Sequence, residues 1–186
     1  DGKRLVLVTS HRRENFGEPF ANICAALREL ATRYHDVHFI FPVHYNPNVR
    51  EPAHAALSGC KSITLIDPVD YETMVALMDR AHLILTDSGG VQEEAPTFDK
   101  PLLVMREVTE RQEVIEAGAG VLVGTDTDLI ISEARRLLDD PVAYRAMAAI
   151  PNPYGDGTSS QKIVDAILAH HGLSIRDAQS PAVIQR

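Results

Sequence analysis

Six short aliphatic runs punctuate the chain: Leu5–Thr9, Val37–Phe41, Ile63–Ile66, Leu83–Thr86, Leu102–Met105 and Gly120–Val123. Each is apolar on successive residues and not on alternate ones. A strand that hides one face alternates with a period of two, so continuous runs predict strands covered on both faces, as in a parallel sheet between helices. The stretches between them carry a different period. Phe20, Ile23, Leu27, Leu30 and Tyr34 recur every three or four residues, as do Tyr71, Met74 and Met78, and Ile130, Ala134 and Leu137. That spacing stacks side chains on one face of a helix. Thr109-Glu110-Arg111-Gln112 and Thr158-Ser159-Ser160-Gln161 fit capping boxes, each opening a helix. Cys24 and the methionines fall on or beside the apolar faces and read as core filling.

Strand, helix, strand, helix at this rhythm predicts an α/β fold, a doubly wound parallel sheet with right-handed crossovers. After Val123 the pattern turns to helices alone, interrupted by the loop Pro151-Asn152-Pro153-Tyr154-Gly155. A chain of 186 residues can bury one sizeable core but not two. With 45% hydrophobic and 24% charged residues, wholesale disorder is excluded. The balance of 18 basic and 26 acidic residues, a net charge of −8, argues against a dedicated nucleic-acid binder. It leaves room for a small basic pocket that takes an anionic metabolite. Two cysteines outside any CxxC spacing argue against a disulfide scaffold or zinc ribbon, and a cytoplasmic location is expected. No aliphatic run is long enough to span a bilayer, and no membrane partner is expected. The chain opens Asp1-Gly2-Lys3-Arg4, without Met, and enters a strand at once, so it reads as a piece of a longer protein.

Doubly wound sheets bind ligands beyond the carboxyl ends of their strands, so the residues after each strand carry the candidate chemistry. After the first comes Ser10-His11-Arg12-Arg13-Glu14-Asn15-Phe16-Gly17. Arginines there can clamp a phosphate or carboxylate and a histidine can move a proton, although a solvated loop with an Arg–Glu pair has the same composition. After the second strand His44 sits in a turn, where a lone histidine is ordinarily structural. After the fourth comes Asp87-Ser88-Gly89-Gly90-Val91-Gln92-Glu93-Glu94. Its glycines let backbone approach a ligand, the following helix offers unpaired N–H groups, and a carboxylate one turn in can accept ribose hydroxyls. It is neither a GxGxxG fingerprint nor a Walker A loop, and a glycine turn followed by dipole-complementing acids would look the same. After the fifth, Arg111 stands where the helix dipole slightly disfavours a cation, which an anionic ligand or a surface salt bridge to Glu107 or Glu110 would explain. The eight histidines include no i, i+4 pair with a carboxylate, so no metal site is expected, and Ser88 lies in no GxSxG elbow.

Five segments occur in a recognisable order: Thr9-Ser10-His11-Arg12-Arg13-Glu14-Asn15, Pro42-Val43-His44-Tyr45-Asn46-Pro47, Leu85 to Pro96 through Asp87-Ser88-Gly89-Gly90, Thr109-Glu110-Arg111, and Asn152-Pro153-Tyr154-Gly155-Asp156-Gly157. In combination they closely resemble the C-terminal half of the non-hydrolysing UDP-N-acetylglucosamine 2-epimerases, from about Lys3 to about His171. The resemblance implies a Rossmann-like C-terminal half of a GT-B-type two-domain enzyme, with residues 1–171 forming the nucleotide-sugar-binding domain and 172–186 a tail. It implies interconversion of UDP-GlcNAc and UDP-ManNAc without metal or cofactor, by elimination of UDP to a 2-acetamidoglucal and its return, for a cell-envelope polysaccharide. The implied partners are the missing N-terminal domain and, for the parent, a second copy in a homodimer. By the same resemblance Ser88, Gly89 and Gly90 hold the diphosphate, Glu94 the ribose and Arg111 the anionic or uridine side of the nucleotide. His11 stands at the reacting end, and Arg12 and His44 match positions that touch a second UDP-GlcNAc acting as activator. Val69 and Met74 depart from the glutamine and phenylalanine of many relatives beside the uracil. The family's catalytic carboxylates lie in the absent half, so this half alone is expected to be inactive. A glycosyltransferase half, a non-catalytic nucleotide-sugar sensor and a hydrolysing epimerase are the competing readings.

Overall fold

All six apolar runs are strands: β1 (Arg4–Thr9), β2 (Val37–Pro42), β3 (Ile63–Ile66), β4 (Leu83–Thr86), β5 (Leu102–Val104) and β6 (Gly120–Leu122). The computed structural model describes residues 2–173. The strands form one parallel sheet in the order β3-β2-β1-β4-β5-β6. Strand order reverses between β1 and β4, which pair from Val6↔Leu83 to Thr9↔Thr86. At such a reversal the connections leave to opposite sides and a crevice opens at the carboxyl ends of the two strands.

Helices α1 (Glu18–Arg33), α2 (Pro47–Leu57), α3 (Tyr71–Arg80), α4 (Gly89–Glu94), α5 (Gln112–Glu116), α6 (Thr127–Asp139), α7 (Pro141–Ala148) and α8 (Ser159–His170) follow in chain order. Gly17 lets the chain turn into α1, because its φ of 83° is open to glycine and strained for other residues. The buried face of α1 runs through Phe20, Ile23, Leu27 and Leu30, packs against the sheet and lies between α2 and α6. Phe20 meets Phe41 of β2 with ring centroids 6.4 Å apart. Truncating any of these fully hidden aliphatics to Ala would cost about 2–5 kcal/mol, because the cavity left behind adds to the lost burial. Cys24, Met78, Met105 and Met147 are buried as expected, and burial pushes the Cys24 thiol up to about 12.

Three local expectations need correction. Thr109 does not cap a helix. Its hydroxyl accepts from the Arg111 amide and donates to Gln92, and the helix begins only at Gln112 with Arg111 in the N-cap position. Thr158 does stand at the N-cap of α8, but its hydroxyl bonds Asp156 and not the helix. Tyr71 is exposed at the start of α3, where Met78 alone is buried.

The chain divides into two compact units, Asp1–Pro153 and Tyr154–Arg186. The sheet and all the candidate residues belong to the first. The second contains α8, whose residues are nearly all exposed, Ile163, Val164 and Ile167 included. Most of the segment expected as a tail, residues 174–186, lies outside the described residues. No helix among the described residues is long and apolar enough to cross a membrane.

Candidate functional site

The crevice between β1 and β4 is built on a buried carboxylate. Asp87, directly after β4, is fully buried and accepts from the Ser10 hydroxyl, the His11 and Arg12 amides and the Asn15 side-chain amide. One charge buried in this way is tolerable because several donors converge on it. The effect is to fold the charged segment after β1 over the end of β4. Asn15 also donates to Met105 O at 3.1 Å, which ties the same turn to the end of β5.

A second clamp joins the loops from the other side. Arg106, buried with 3% exposure, donates to Glu14 and to Glu110, each at 2.6 Å. Hydrogen bonds donated to these carboxylates, Glu110 first, push the guanidinium above its usual range, and Arg106 holds the Glu110 carboxyl down to about 2. The arginine–glutamate pair that was the alternative reading of the His-Arg-Arg-Glu segment is not made within it: Glu14 pairs with Arg106. Buried Gln92 completes the scaffold, donating to Ser88 O and accepting from Thr109.

On this scaffold two cations converge at Gly89. A Cβ on Gly89 would lie 3.2 Å from Arg111 Cζ and 3.3 Å from Arg12 Nη2, so both guanidiniums rest against the bare backbone of the glycine. Arg12 is steered there by donating from Nε to Asp87 O at 3.2 Å. Arg111 is steered by Glu93, whose Oε1 accepts from its Nε at 2.8 Å. Of the surface salt bridges that were the alternative explanation of Arg111, the one to Glu110 is present but long, at 3.9 Å, and the shorter pair is to Glu93, at 2.8 Å. Gln92 N donates to Ser88 O, leaving the N–H groups of Gly89, Gly90 and Val91 as first-turn donors without intrahelical acceptors. Two guanidiniums beside such amides make an anion cradle inside a net-acidic chain.

Beside the cradle is a cavity of about 160 Å³. Ser88 and His11 form its polar side; Pro42, Pro68, Val69 and Met74 its apolar side. His11 and His44 stack along its edge with ring centroids 5.8 Å apart and planes 25° from parallel. His11, Arg12, Ser88, Gly89, Gly90 and Arg111 therefore meet at the strand-order reversal, and His44 joins them through the ring stack. Glu94 stands at the far end of α4, about 7.5 Å along the axis from Gly89, with no partner among the described residues. Asp87, Asn15, Gln92 and Arg106 were not singled out from sequence. The available signal was position: polar residues beside the ends of fully apolar strands.

Known proteins resemble this chain over about 90% of its length. Residues 1–168 match the family described as UDP-N-acetylglucosamine 2-epimerase. The UDP-N-acetylglucosamine 2-epimerase of Escherichia coli (strain K12) is 52% identical over 165 residues, which are 89% of this chain and 44% of that protein. The crystal structure of UDP-GlcNAc 2-epimerase from Neisseria meningitidis bound to UDP-GlcNAc is 46% identical, with a TM-score of 0.86, over 90% of this chain and 45% of that one. WaaG, a glycosyltransferase involved in lipopolysaccharide biosynthesis, has a TM-score of 0.62 at 19% identity, over 90% of this chain and 47% of that one, a likeness of fold alone. The chain spans about half the length of the curated relatives it matches.

Proposed function

This chain belongs to the UDP-N-acetylglucosamine 2-epimerase family, and from that premise we propose that it is the UDP-binding, carboxyl-terminal half of a two-domain, non-hydrolysing 2-epimerase. The full enzyme would interconvert UDP-GlcNAc and UDP-ManNAc in the cytoplasm, as a homodimer, with residues 1–171 as the nucleotide-sugar domain and 172–186 as a tail. The observation that carries the reading is the meeting of Arg12 and Arg111 over Gly89 at the first turn of α4.

In the reaction, the C2 proton is removed, the C1–O bond to UDP breaks and its electrons leave with the diphosphate. A 2-acetamidoglucal with a C1–C2 double bond remains. Reversal, with the proton delivered to the opposite face of C2, gives the epimer. Charge develops on the departing diphosphate, and the cradle supplies cations and amide donors for it without prior rearrangement. The Ser88 hydroxyl and the Gly89 and Gly90 amides would hold the diphosphate, with Glu94 accepting from the ribose. The apolar wall of Pro68, Val69 and Met74 offers the uracil van der Waals contact, in place of the polar contact that a glutamine at Val69 would make. His11 would act at the reacting end. Arg12 and His44 would meet a second UDP-GlcNAc as activator, and Arg12, which also touches the cradle, would join the two ligands.

Proton exchange at both faces of C2 needs two positioned acid–base groups. The cradle and the cavity beside it hold the imidazoles of His11 and His44 and no pair of facing carboxylates among the described residues, so the remaining groups would belong to the other half. The test is a titration of the ¹⁵N-labelled chain with UDP. The amides of Ser88 to Val91 should shift, and shift less with UMP, which lacks the second phosphate. No movement there at millimolar UDP would remove the cradle from the proposal.

A further inference from the structure

Asp87 holds more acceptor capacity than its turn consumes. Its Oδ2 takes hydrogen bonds from Ser10 Oγ, His11 N and Arg12 N at 2.9 Å each, and from Asn15 Nδ2 at 3.0 Å. Oδ1 receives only a 3.1 Å share of the His11 amide already bonded to Oδ2. Each carboxylate oxygen offers about two lone-pair directions, so Oδ2 is crowded while Oδ1 can accept another donor. Asp87 is fully buried, and the ionisable nitrogen within salt-bridge reach of Oδ1 is His11 Nδ1, at 3.5 Å. Closing that gap to an ordinary hydrogen bond is a ring movement of about 0.7 Å, small for a site that tightens on its ligand.

The ring, 40% exposed, is bounded on two sides. Its backbone amide is pinned to the same carboxylate, and its face stacks on His44. With Nδ1 turned to Asp87, Nε2 is left as the nitrogen for the cavity that His11 lines. We propose that Asp87 is a positioning residue for His11: its Oδ1 accepts the Nδ1 proton and so presents a bare Nε2 to the ligand. The proposal rests on the reading of His11 as a group at the reacting end.

The substitution Asp87→Asn makes a specific prediction. Four donors converge on Oδ2, so the amide must place its carbonyl oxygen there and aim its NH₂ at His11 Nδ1. An NH₂ facing Nδ1 forces the ring proton onto Nε2, the opposite tautomer. The chain labelled with ¹⁵N-histidine, the His11 signals assigned by their loss in His11→Gln, reports this directly. At about pH 8, the native chain should show a protonated Nδ1 and a bare Nε2, and Asp87→Asn the reverse.

In the full-length enzyme Asp87→Asn should lower kcat by about 100-fold, the scale of a small misplacement, and leave KM for UDP-GlcNAc nearly unchanged. Circular dichroism checks that the variant folds; if it does not, the native spectrum decides alone. A native ring protonated on Nε2, or an Asp87→Asn enzyme with unchanged kcat, overturns the proposal. His11→Ala separates the two ideas. Full activity in that variant removes His11 from the reacting end, whatever its tautomer.

Discussion

Gly89 separates the stability of this fold from the function of its cradle. Gly89→Ala adds one methyl group on a helical backbone whose φ needs no glycine. That Cβ would stand 3.2 Å from Arg111 Cζ, 3.3 Å from Arg12 Nη2 and 3.4 Å from Arg111 Nε. Comfortable contacts between such atoms are about 3.5–4.0 Å, so both guanidiniums must retreat by a few tenths of an ångström. They are the ends of long side chains and can do so cheaply, while Ala gains up to about 1 kcal/mol of helix propensity over Gly. Stability should therefore stay level or rise slightly. Ligand binding should not. Each charge-assisted hydrogen bond to a phosphate is worth about 1.5–3 kcal/mol, and losing the alignment of one of the two cations weakens UDP binding by about 10- to 100-fold. Urea unfolding reads the first quantity and a titration with UDP the second. Unchanged UDP affinity in a folded Gly89→Ala chain would refute the convergence of cations as the basis of binding.

Arg106→Leu should destabilise the chain by about 1–3 kcal/mol, because it removes the charged bonds that clamp the loops after β1 and β5; an unchanged urea midpoint counts against the clamp. Arg106 holds the Glu110 carboxyl down to about 2 from 4.5, so the native state resists its protonation. Stability present above pH 4.5 is lost as pH falls towards 2, and that loss should be shallower in Arg106→Leu. Burial, then the Arg4 and Lys100 charges, lower the pKa of His82, which stacks on Tyr144 at 4.2 Å; Asp36 opposes them. The unfolded chain then takes up the proton first, so stability is full above about pH 6.5 and declines below it. His82→Phe should reduce the difference between urea midpoints measured at about pH 7.5 and 5.5, and an undiminished difference assigns the slope elsewhere. Incubated with UDP-GlcNAc in deuterated water, the chain alone should place no deuterium at C2; incorporation above background would mean that a base able to reach C2 lies within it.

The sheet was legible because strands hidden on both faces need apolar residues at every position, and six such runs stand out without any knowledge of their partners. Boundaries shifted by a residue or so where hydrogen bonding, not hydrophobicity, decides the end, as at Arg4 and Pro42. Thr109 misled for a physical reason. A threonine hydroxyl can close a turn or cap a helix, and the choice was made by Gln92, a residue 17 positions away. The site was legible in outline because a doubly wound sheet announces where its loops converge. Its supports were not. Asp87 and Ser10 are 77 positions apart in sequence, and nothing in the letters distinguishes an aspartate buried under four donors from one in solvent. Arg106 and Glu14, 92 positions apart, form a pair by the same logic.

The way the cations are held also explains why half a binding site should bind weakly and still be well formed. Arg12 is tethered by a backbone oxygen and Arg111 by Glu93, so neither side chain has to be ordered when a ligand arrives. The Glu93 tether has an electrostatic cost, since its negative charge lies beside the anion it helps to position a cation for. A diphosphate meeting Arg111 must share that guanidinium with Glu93, whereas at Arg12 it meets a cation steered by a neutral carbonyl. Arg12 thus offers the larger unshared charge, and Arg111 the firmer geometry. Arg111 is 33% exposed and Glu93 43%, so water screens their pair and limits how much attraction the ligand forfeits. Closing a second domain over the cleft would remove that screening and strengthen every contact to the phosphates at once. If the cradle holds the diphosphate as proposed, affinity would depend less on adding cations than on excluding water from those already aligned at Gly89.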